Sequence, residues 1–217
     1  MKYVIDSGYA LHRLLAKAPL DLYESSLTIA QGCGPAHYGL MYEALVHKLF
    51  YVPNMCVTFH VRSYSLSGAS SNAYQDIVLG TNMDVECSGT DETKAMNCLC
   101  KIKIGTDRSS YWHPDFPRFP VVDAVLFIRE TKTVLYIQKT VGKEHNISRE
   151  KLDVVHDAAK TALESSTDAN GWEFKYVAVA PYQVLAEALI LKEGGRVLSA
   201  CTMGEVTISK GYETHAA

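Results

Sequence analysis

The segment 119–140, FPVVDAVLFIRETKTVLYIQKT, constrains the fold of this chain more than any other stretch. It contains two apolar runs, at about 121–128 and 134–141, separated by the charged turn 129–133. Both runs are rich in Val, Ile, Leu, Phe and Tyr, which are the residues typical of buried strands. The pattern therefore predicts two strands joined as a hairpin at the centre of the fold.

Two polar residues interrupt these apolar runs, Asp123 in the first and Gln138 in the second. A carboxylate among buried strand residues costs free energy unless it is paired or bound to a metal. Asp123 is therefore a candidate metal ligand, or else a strand-end carboxylate bonded to the backbone or to an arginine. Gln138 is either a ligand or a buried amide bonded to its neighbours.

The flanking sequence alternates between helical and strand patterns. Residues 1–30 read as a lead-in, 65–72 as a loop, and 109–119 as an irregular, aromatic- and proline-rich approach to the hairpin. Helical spacing of apolar residues predicts helices at about 36–50, 149–164 and 183–192, the second with Ser148 as its N-cap. Further strands are predicted at 56–62, 77–79, 83–87, 98–104, 173–180 and 206–209.

This order of elements predicts an α/β (α+β mixed) fold with a central mixed sheet flanked by helices. The segments 134–141, 149–164 and 173–180 form a natural right-handed βαβ unit. No Pro/Gly/Ser-rich linker divides the 217 residues, so we expect one domain, with a core at 31–181 and a C-terminal extension at 182–217.

The overall composition limits the function classes that suit the chain. The net charge is −3, whereas nucleic-acid binders usually carry a basic excess, so any such site needs a local basic patch. The scattered lysines Lys139, Lys143, Lys151 and Lys160 are candidates for it, or form a solvated face. No apolar run approaches the ~20 residues of a membrane span. Six cysteines at irregular spacing favour reduced thiols in an intracellular setting and lack the paired spacing of a zinc site.

Helix 36–50 carries two polar residues of interest, Glu43 and His47. They lie four positions apart, so they share one face of the helix close to its apolar stripe. Glu43 is either a solvated helix residue or turned inward, and a histidine in such a place is more often structural than catalytic. Tyr111 and Trp112, with Phe116, could stack on bases or pack a loop against the core.

The order of an acidic helix residue, a strand aspartate and a strand with closely spaced polar residues resembles the restriction-endonuclease-like PD-(D/E)xK fold. The phrases GLMYEALVHKL at 39–49, FPVVDAVLF at 119–127 and LYIQKTVGKEH at 135–145 are similar to the nuclease-like domain of Crinkler effectors and retrotransposon hot spot proteins. The strand KYVAVAP at 175–181 also fits this resemblance.

The resemblance implies a divalent-metal-dependent DNA endonuclease. In such enzymes the metal, Mg²⁺ or Mn²⁺, activates water to attack a phosphodiester. Carried over to this chain, Glu43, Asp123 and Gln138 are the implied metal ligands, and Lys139 or Thr140 stands in the place of the lysine. Lys139, Lys143 and His145 are the implied contacts to nucleic acid.

The chain departs from the ExK part of this pattern, in which an acidic residue and a lysine lie two positions apart on one strand. Residues two apart on a strand point to the same face, so the equivalent pair here is Gln138 and Thr140. Glutamine brings no charge, and threonine cannot act as a cation. Lys139 lies between them and is expected to point to the other face, as a surface or phosphate contact. The candidates for a cation that replaces the lysine of the ExK pattern are Lys139, Lys143 and Lys160.

Two functions follow from these observations. The first is a nuclease acting on DNA, with intracellular action, or action in a host nucleus if the protein is a secreted effector. The second is a catalytically degenerate nuclease fold that binds nucleic acid or a host nuclear protein. The second is supported by the missing acid, the displaced lysine and the acidic pI of about 6.2, and the first remains the leading hypothesis.

Overall fold

The computed structural model describes residues 17–52, 55–64, 70–79, 83–105, 107–115, 119, 121–139, 147–166, 169–193 and 201–212. Within these ranges, eight strands form one mixed sheet. The strands are β1 (Met55–Tyr64), β2 (Ser70–Leu79), β3 (Met83–Ser88), β4 (Ser109–Pro114), β5 (Ala124–Ile128), β6 (Thr133–Lys139), β7 (Glu173–Val179) and β8 (Cys201–Tyr212). Their order across the sheet is β2-β1-β8-β7-β6-β5-β4-β3.

Helices cover both faces of this sheet. They are α1 (Leu20–Cys33), α2 (Pro35–Leu49), α3 (Glu92–Leu99), α4 (Arg149–Glu164) and α5 (Gln183–Glu193). Helix α2 packs on one face, and α1 contacts α2. Helices α3, α4 and α5 share a core with the opposite face. The predicted class, a mixed α/β fold with a mixed sheet flanked by helices, is confirmed. None of the described helices is long and apolar enough to cross a membrane.

The predicted hairpin is the antiparallel pair of β5 and β6. Every residue of both strands is buried. Alternate side chains pack into two hydrophobic cores, one on each face of the sheet. Leu126 and Ile137 lie on the α2 side, whereas Phe127 and Tyr136 lie on the α4 side. Because both faces are covered, the sequence of each strand reads as a continuous apolar run rather than an alternating one.

The segment β6–α4–β7 is a parallel βαβ unit, as its sequence predicts. Helix α4 begins at the expected residue, and the side chain of Ser148 accepts a hydrogen bond from the backbone N–H of Lys151 at 3.4 Å. This cap satisfies one of the N–H groups that a helix start leaves without an intrahelical partner. The unit fixes β6 at the middle of the sheet, next to β5.

The strand predicted at 98–104 is wrong, because helix α3 occupies Glu92–Leu99. The Asp91 carboxylate accepts a hydrogen bond from the backbone N–H of Lys94 at 2.9 Å and starts the helix. Ala95 and Leu99, four residues apart, are fully buried on its inner side. After Leu99, apolar residues at alternate positions give the sequence a pattern that is typical of a strand.

The irregular approach predicted at 109–119 is also wrong over its first half. Residues Ser109–Pro114 form β4, which pairs with β3 in parallel and with β5 in antiparallel orientation. Proline and aromatic residues concealed this strand in the sequence. Its stability comes from partners distant in the chain, since Tyr111 and Trp112 are completely buried on opposite faces of the sheet.

The two ends of the chain contribute more structure than expected. The lead-in predicted at 1–30 contains most of helix α1, which begins at Leu20. The predicted loop at 65–72 overlaps the start of β2, and residues 65–69 lie outside the described residues. Strand β8 is longer than the predicted 206–209 and lies between β1 and β7, inside the sheet rather than appended to it.

Candidate functional site

Polar side chains converge where β6 ends and β5 begins, on the side of the sheet that α2 covers. Lys139 is the last residue of β6, and its Nζ lies 3.8 Å from Oε1 of Glu43 on α2. Asp123 immediately precedes β5 and contacts the same end of β6. Residues from three elements, distant in sequence, therefore form one charged cluster.

Asp123 is held by the end of strand β6. Its Oδ2 accepts a hydrogen bond from the backbone N–H of Lys139 at 2.6 Å and another from Nε2 of Gln138 at 2.8 Å. Its own backbone N–H donates to the carbonyl oxygen of Ile137 at 2.7 Å, which extends the ladder between β5 and β6. Asp123 is thus fixed in position by three hydrogen bonds to one strand, two of which end on its carboxylate.

The protonation of Asp123 responds to its surroundings. Burial raises the pKa of Asp123 to about 7, with the charge of Lys139 lowering it and the charge of Glu43 raising it. The residue as a whole is partly exposed. A group whose pKa is moved close to neutrality by burial and by specific charged neighbours is typical of functional sites.

The backbone just before Asp123 is strained. Val121 has a φ of 82°, in the left-handed region, where a β-branched residue is a rare outlier. The hydroxyl of Tyr176 donates a hydrogen bond to the carbonyl oxygen of Val121 at 3.3 Å. Strain of this kind persists only where the surrounding structure enforces it, and it concentrates at functional sites. The strained turn at Val121 is therefore part of the backbone that positions the Asp123 carboxylate.

Lys139 is buried, and its predicted place on the surface is wrong. Its side chain is only 1% exposed. Alternation along β6 does direct it away from Gln138, but this places it on the face that Ile137 shares with α2, and the helix covers it. Burial lowers the pKa of Lys139, while Glu43 and Asp123 raise it. The lysine is thus a buried cation beside two carboxylates.

His47 completes the surroundings of Lys139. Its Nε2 forms a short hydrogen bond with Nζ of Lys139, and its Nδ1 is bonded to the Tyr111 hydroxyl at 2.7 Å. Burial lowers the pKa of His47 well below its usual value, and the charges of Lys139 and His113 lower it further. The imidazole is therefore neutral at physiological pH.

The sequence did not assign a definite role to His47. It also did not indicate that Tyr111 and His113 lie next to the site. The imidazole rings of His47 and His113 lie 4.4 Å apart, and Nε2 of His113 is bonded to the hydroxyl of Tyr51 at 2.7 Å. The spacing of four between Glu43 and His47 was the available signal. Tyr111 and His113 lie on β4, which the sequence did not reveal as a strand.

The structure thus brings together four of the predicted site residues, namely Glu43, Asp123, Gln138 and Lys139. Three others, Thr140, Lys143 and His145, lie outside the described residues.

The predicted basic edge does not form one patch. Lys151 and Lys160 are exposed on α4, which packs on the opposite side of the sheet from Lys139. Lys151 also pairs with Glu92, with 3.7 Å between Nζ and Oε2. Among the candidate replacement cations that the structure describes, Lys139 is the one beside the two carboxylates.

Stacking of Tyr111 and Trp112 on bases is excluded in this structure, because both side chains are completely buried. Tyr111 packs between the rings of Phe50 and His47 on the α2 side. Trp112 lies on the other side and donates from Nε1 to Oγ of Ser88 at 3.1 Å. Both side chains therefore pack against the core. Phe116 lies outside the described residues.

The donor atoms suit a hard divalent cation only in part. Throughout the described ranges, no group of three or more His, Cys, Asp or Glu side chains is arranged to hold a metal ion. The site offers the carboxylates of Glu43 and Asp123. It also offers Oε1 of Gln138, which is left as an acceptor because Nε2 faces Asp123. Mg²⁺ binds oxygen ligands and commonly takes one or two carboxylates, with substrate phosphates and waters completing its shell. The coordination shell of Mg²⁺ or Mn²⁺ would therefore be filled only in part by Glu43, Asp123 and Gln138.

No family model matches this chain, and no curated protein or solved structure shows significant similarity to it.

Proposed function

We propose that the protein is a divalent-metal-dependent nuclease that hydrolyses phosphodiester bonds in DNA, on a restriction-endonuclease-like core of the PD-(D/E)xK type. The observation that carries this proposal is the meeting of Lys139 with two carboxylates. Its Nζ lies 3.8 Å from Glu43, and its backbone N–H donates to Asp123 at 2.6 Å. Carboxylates can hold the metal ion that assists phosphodiester hydrolysis, and a nearby cation can add to the stabilisation of the negative charge that develops.

In this proposal the carboxylates of Glu43 and Asp123 and the amide oxygen of Gln138 hold the metal ion. The ion supplies an activated water and stabilises the negative charge that develops on the phosphate. Gln138 has a second role that the structure supports, because its Nε2 donates to Oδ2 of Asp123. This hydrogen bond orients the aspartate and favours its ionised form, which is the form that binds a cation.

Lys139 supplies the cationic group that orients and polarises the attacking water. In the ExK pattern the acid and the lysine lie two apart and share a strand face, whereas Gln138 and Lys139 are adjacent and lie on opposite faces. The site tolerates this change because Gln138 reaches Asp123 from one face while Lys139 reaches Glu43 from the other. Thr140 is then not needed as the replacement for the lysine.

The choice of DNA rests on the resemblance to the Crinkler and retrotransposon hot spot nuclease domains, together with the openness of the cluster. The side chain of Glu43 is 45% exposed, so a large substrate can approach it from solvent. Action in a host cell nucleus, and contact with host nuclear proteins there, belong to the same proposal and rest on the resemblance alone.

The direct test is a cleavage assay on supercoiled and linear DNA with Mg²⁺, Mn²⁺ or EDTA, comparing the wild type with Asp123→Asn. We expect cleavage that requires metal and disappears in the variant. Folded wild-type protein that leaves both substrates intact with either metal would refute the catalytic proposal.

A second candidate is a nuclease fold that binds nucleic acid or protein without cleaving it. The specific observation in its favour is that Asp123 is bonded to the uncharged Gln138 rather than placed beside a third acid, and that the described residues contain no larger metal-ligand group. DNA binding that is insensitive to EDTA, without cleavage, would support this candidate over the first.

A further inference from the structure

We propose that His47 is a positioning residue that holds the ammonium group of Lys139 against Glu43, and that it does so as the neutral tautomer with its proton on Nδ1. The tautomer follows from contacts in the fold alone. The importance of His47 for cleavage rests on the proposed nuclease function of Lys139.

The tautomer follows from the donors and acceptors around the imidazole. An ammonium group has three donors and no acceptor, so its hydrogen bond to His47 requires Nε2 to be the accepting nitrogen. In a neutral imidazole the proton then resides on Nδ1. That N–H points at the hydroxyl oxygen of Tyr111, 2.7 Å away, which accepts it. Tyr111 thus selects the tautomer that can receive a hydrogen bond from Lys139.

Lys139 needs such a partner because its other contact is weak. A lysine side chain has a flexible four-carbon stem and about 2 kcal/mol of rotamer entropy to lose when it is fixed. The contact to Glu43 at 3.8 Å is longer than a hydrogen bond, and the glutamate side chain is partly in solvent. The bond to the buried His47 is therefore the contact that fixes the direction of Nζ.

The imidazole is itself held firmly. His47 is 7% exposed, and its ring lies 5.9 Å from that of Tyr111 and 4.4 Å from that of His113, between ring centroids. Tyr111 is in turn stacked on Phe50 with 4.0 Å between ring centroids. Packed aromatic neighbours of this kind leave a side chain few alternative rotamers.

The opposite face of β6 provides a matched control. There the hydroxyl of Tyr136 is bonded to Nδ1 of His156 at 2.9 Å, which reproduces the pair of Tyr111 and His47. His156 lies on α4, on the other side of the sheet from Lys139 and Glu43. Changing His156 therefore alters a tyrosine–histidine pair without touching the proposed site.

The first experiment needs no activity. The ¹⁵N spectrum of the full chain with labelled histidine is expected to show His47 with a protonated Nδ1 and an unprotonated Nε2 near pH 7.5. In Tyr111→Phe the acceptor for Nδ1–H is lost, and the population of this tautomer is expected to fall. A wild-type His47 that carries its proton on Nε2, or on both nitrogens, would overturn the proposal.

The second experiment measures the positioning effect by steady-state cleavage. We expect His47→Leu to lower kcat on the order of 100-fold with little change in KM, as a small misplacement of a catalytic group does. His47→Gln, which keeps an acceptor near the position of Nε2, should recover most of the loss, and His156→Leu should resemble the wild type. A folded His47→Leu variant with wild-type kcat would overturn the positioning role. If the wild type cleaves nothing, the proposed function fails, and the tautomer is still tested by the spectrum.

Discussion

The Nζ atom of Lys139 lies 3.8 Å from Oε1 of Glu43, and this contact joins the end of the central hairpin to helix α2. The two partners have unequal surroundings, because the lysine side chain is 1% exposed and the glutamate side chain 45%. The pair therefore connects a buried cation to a partly exposed carboxylate. Under the proposed function, a substrate phosphate that arrives at Glu43 would meet a positive charge that the fold has already desolvated.

Replacement of Lys139 by methionine tests whether this lysine contributes mainly to the stability of the fold or to its function. Burying a charged group is costly, and apolar residues of similar volume often substitute for buried ions at little loss. Glu43 can be solvated once its partner is gone, whereas Nε2 of the buried His47 loses its donor at a cost of about 1–3 kcal/mol, which the removal of the buried charge offsets in part. We therefore expect a smaller loss in the free energy of unfolding than in an apolar core variant.

The matched control for this variant is Ile137→Ala, two residues earlier on the same strand face. It creates a cavity in the apolar core and should cost about 2–5 kcal/mol, measured by chemical denaturation. A loss in Lys139→Met as large as that of Ile137→Ala would mean that the lysine is retained for stability.

The stability of the fold should depend on pH through Asp123. Its pKa of about 7 in the folded protein exceeds the value of about 3.9 expected in the unfolded chain. The folded state therefore binds the proton more tightly, and the associated stability is complete below about pH 4 and is lost as the pH rises to about 7.

Asp123→Asn removes this titration while keeping the shape of the side chain. Its unfolding free energy relative to the wild type should rise between pH 4 and pH 8 on the order of 2 kcal/mol, a value reduced from the full shift because the residue is partly exposed. A constant difference between Asp123→Asn and the wild type from pH 4 to pH 8 would contradict the pKa assigned to Asp123.

Divalent metal should stabilise the folded protein if the two carboxylates share an ion. Binding to the native state alone contributes about 2.7 kcal/mol at a free metal concentration one hundred times Kd. We expect Mg²⁺ or Mn²⁺ to raise the Tm of the wild type, EDTA to reverse the rise, and Asp123→Ala to abolish it. An identical response in the wild type and in Asp123→Ala would remove Asp123 from the ligand set.

The strained residue before Asp123 offers a test of local backbone energy. The left-handed conformation of Val121 costs about 1–2 kcal/mol for a residue with a side chain and very little for glycine. Val121→Gly should therefore lose less stability than Val122→Gly, by about 1–2 kcal/mol, although both valines are buried. Equal losses in chemical denaturation would show that Val121 is not strained in solution.

The elements predicted correctly are those in which local signals agree with one another. Helix α4 has a serine cap, a regular apolar face and no competing pattern, and its observed bounds are those expected from the sequence. The strands of the hairpin are apolar throughout, because both faces of the sheet are covered there. In such segments the nearest neighbours in sequence already determine the structure.

The missed elements depend on partners that are distant in the chain. Strand β4 contains aromatic residues and ends in a proline, which suggest a loop, and it is a strand because β3 and β5 pair with it on either side. In α1, Tyr23 and Ala30 are buried, and Tyr23 packs against residues of α2. Local patterns cannot report contacts of this kind.

Four of the predicted site residues lie in one network of contacts, namely Glu43, Asp123, Gln138 and Lys139, but the arrangement of this network was not predicted. Alternation correctly placed Lys139 and Gln138 on opposite faces of β6. The error was to treat the face of Gln138 as the site and the face of Lys139 as surface. Which face receives Glu43 depends on where α2 packs, and that is decided by the whole core rather than by the strand.

The central claim is that Lys139, although displaced by one position from the ExK pattern, supplies the cation for phosphodiester cleavage. The most direct measurement is the single-turnover rate of cleavage of supercoiled DNA by the wild type and by Lys139→Met, with Mg²⁺ or Mn²⁺, each variant being first shown to be folded. We predict metal-dependent cleavage by the wild type and none detectable by Lys139→Met. Cleavage by Lys139→Met at the wild-type rate would contradict the claim, as would a folded wild-type protein that leaves the DNA intact with both metals.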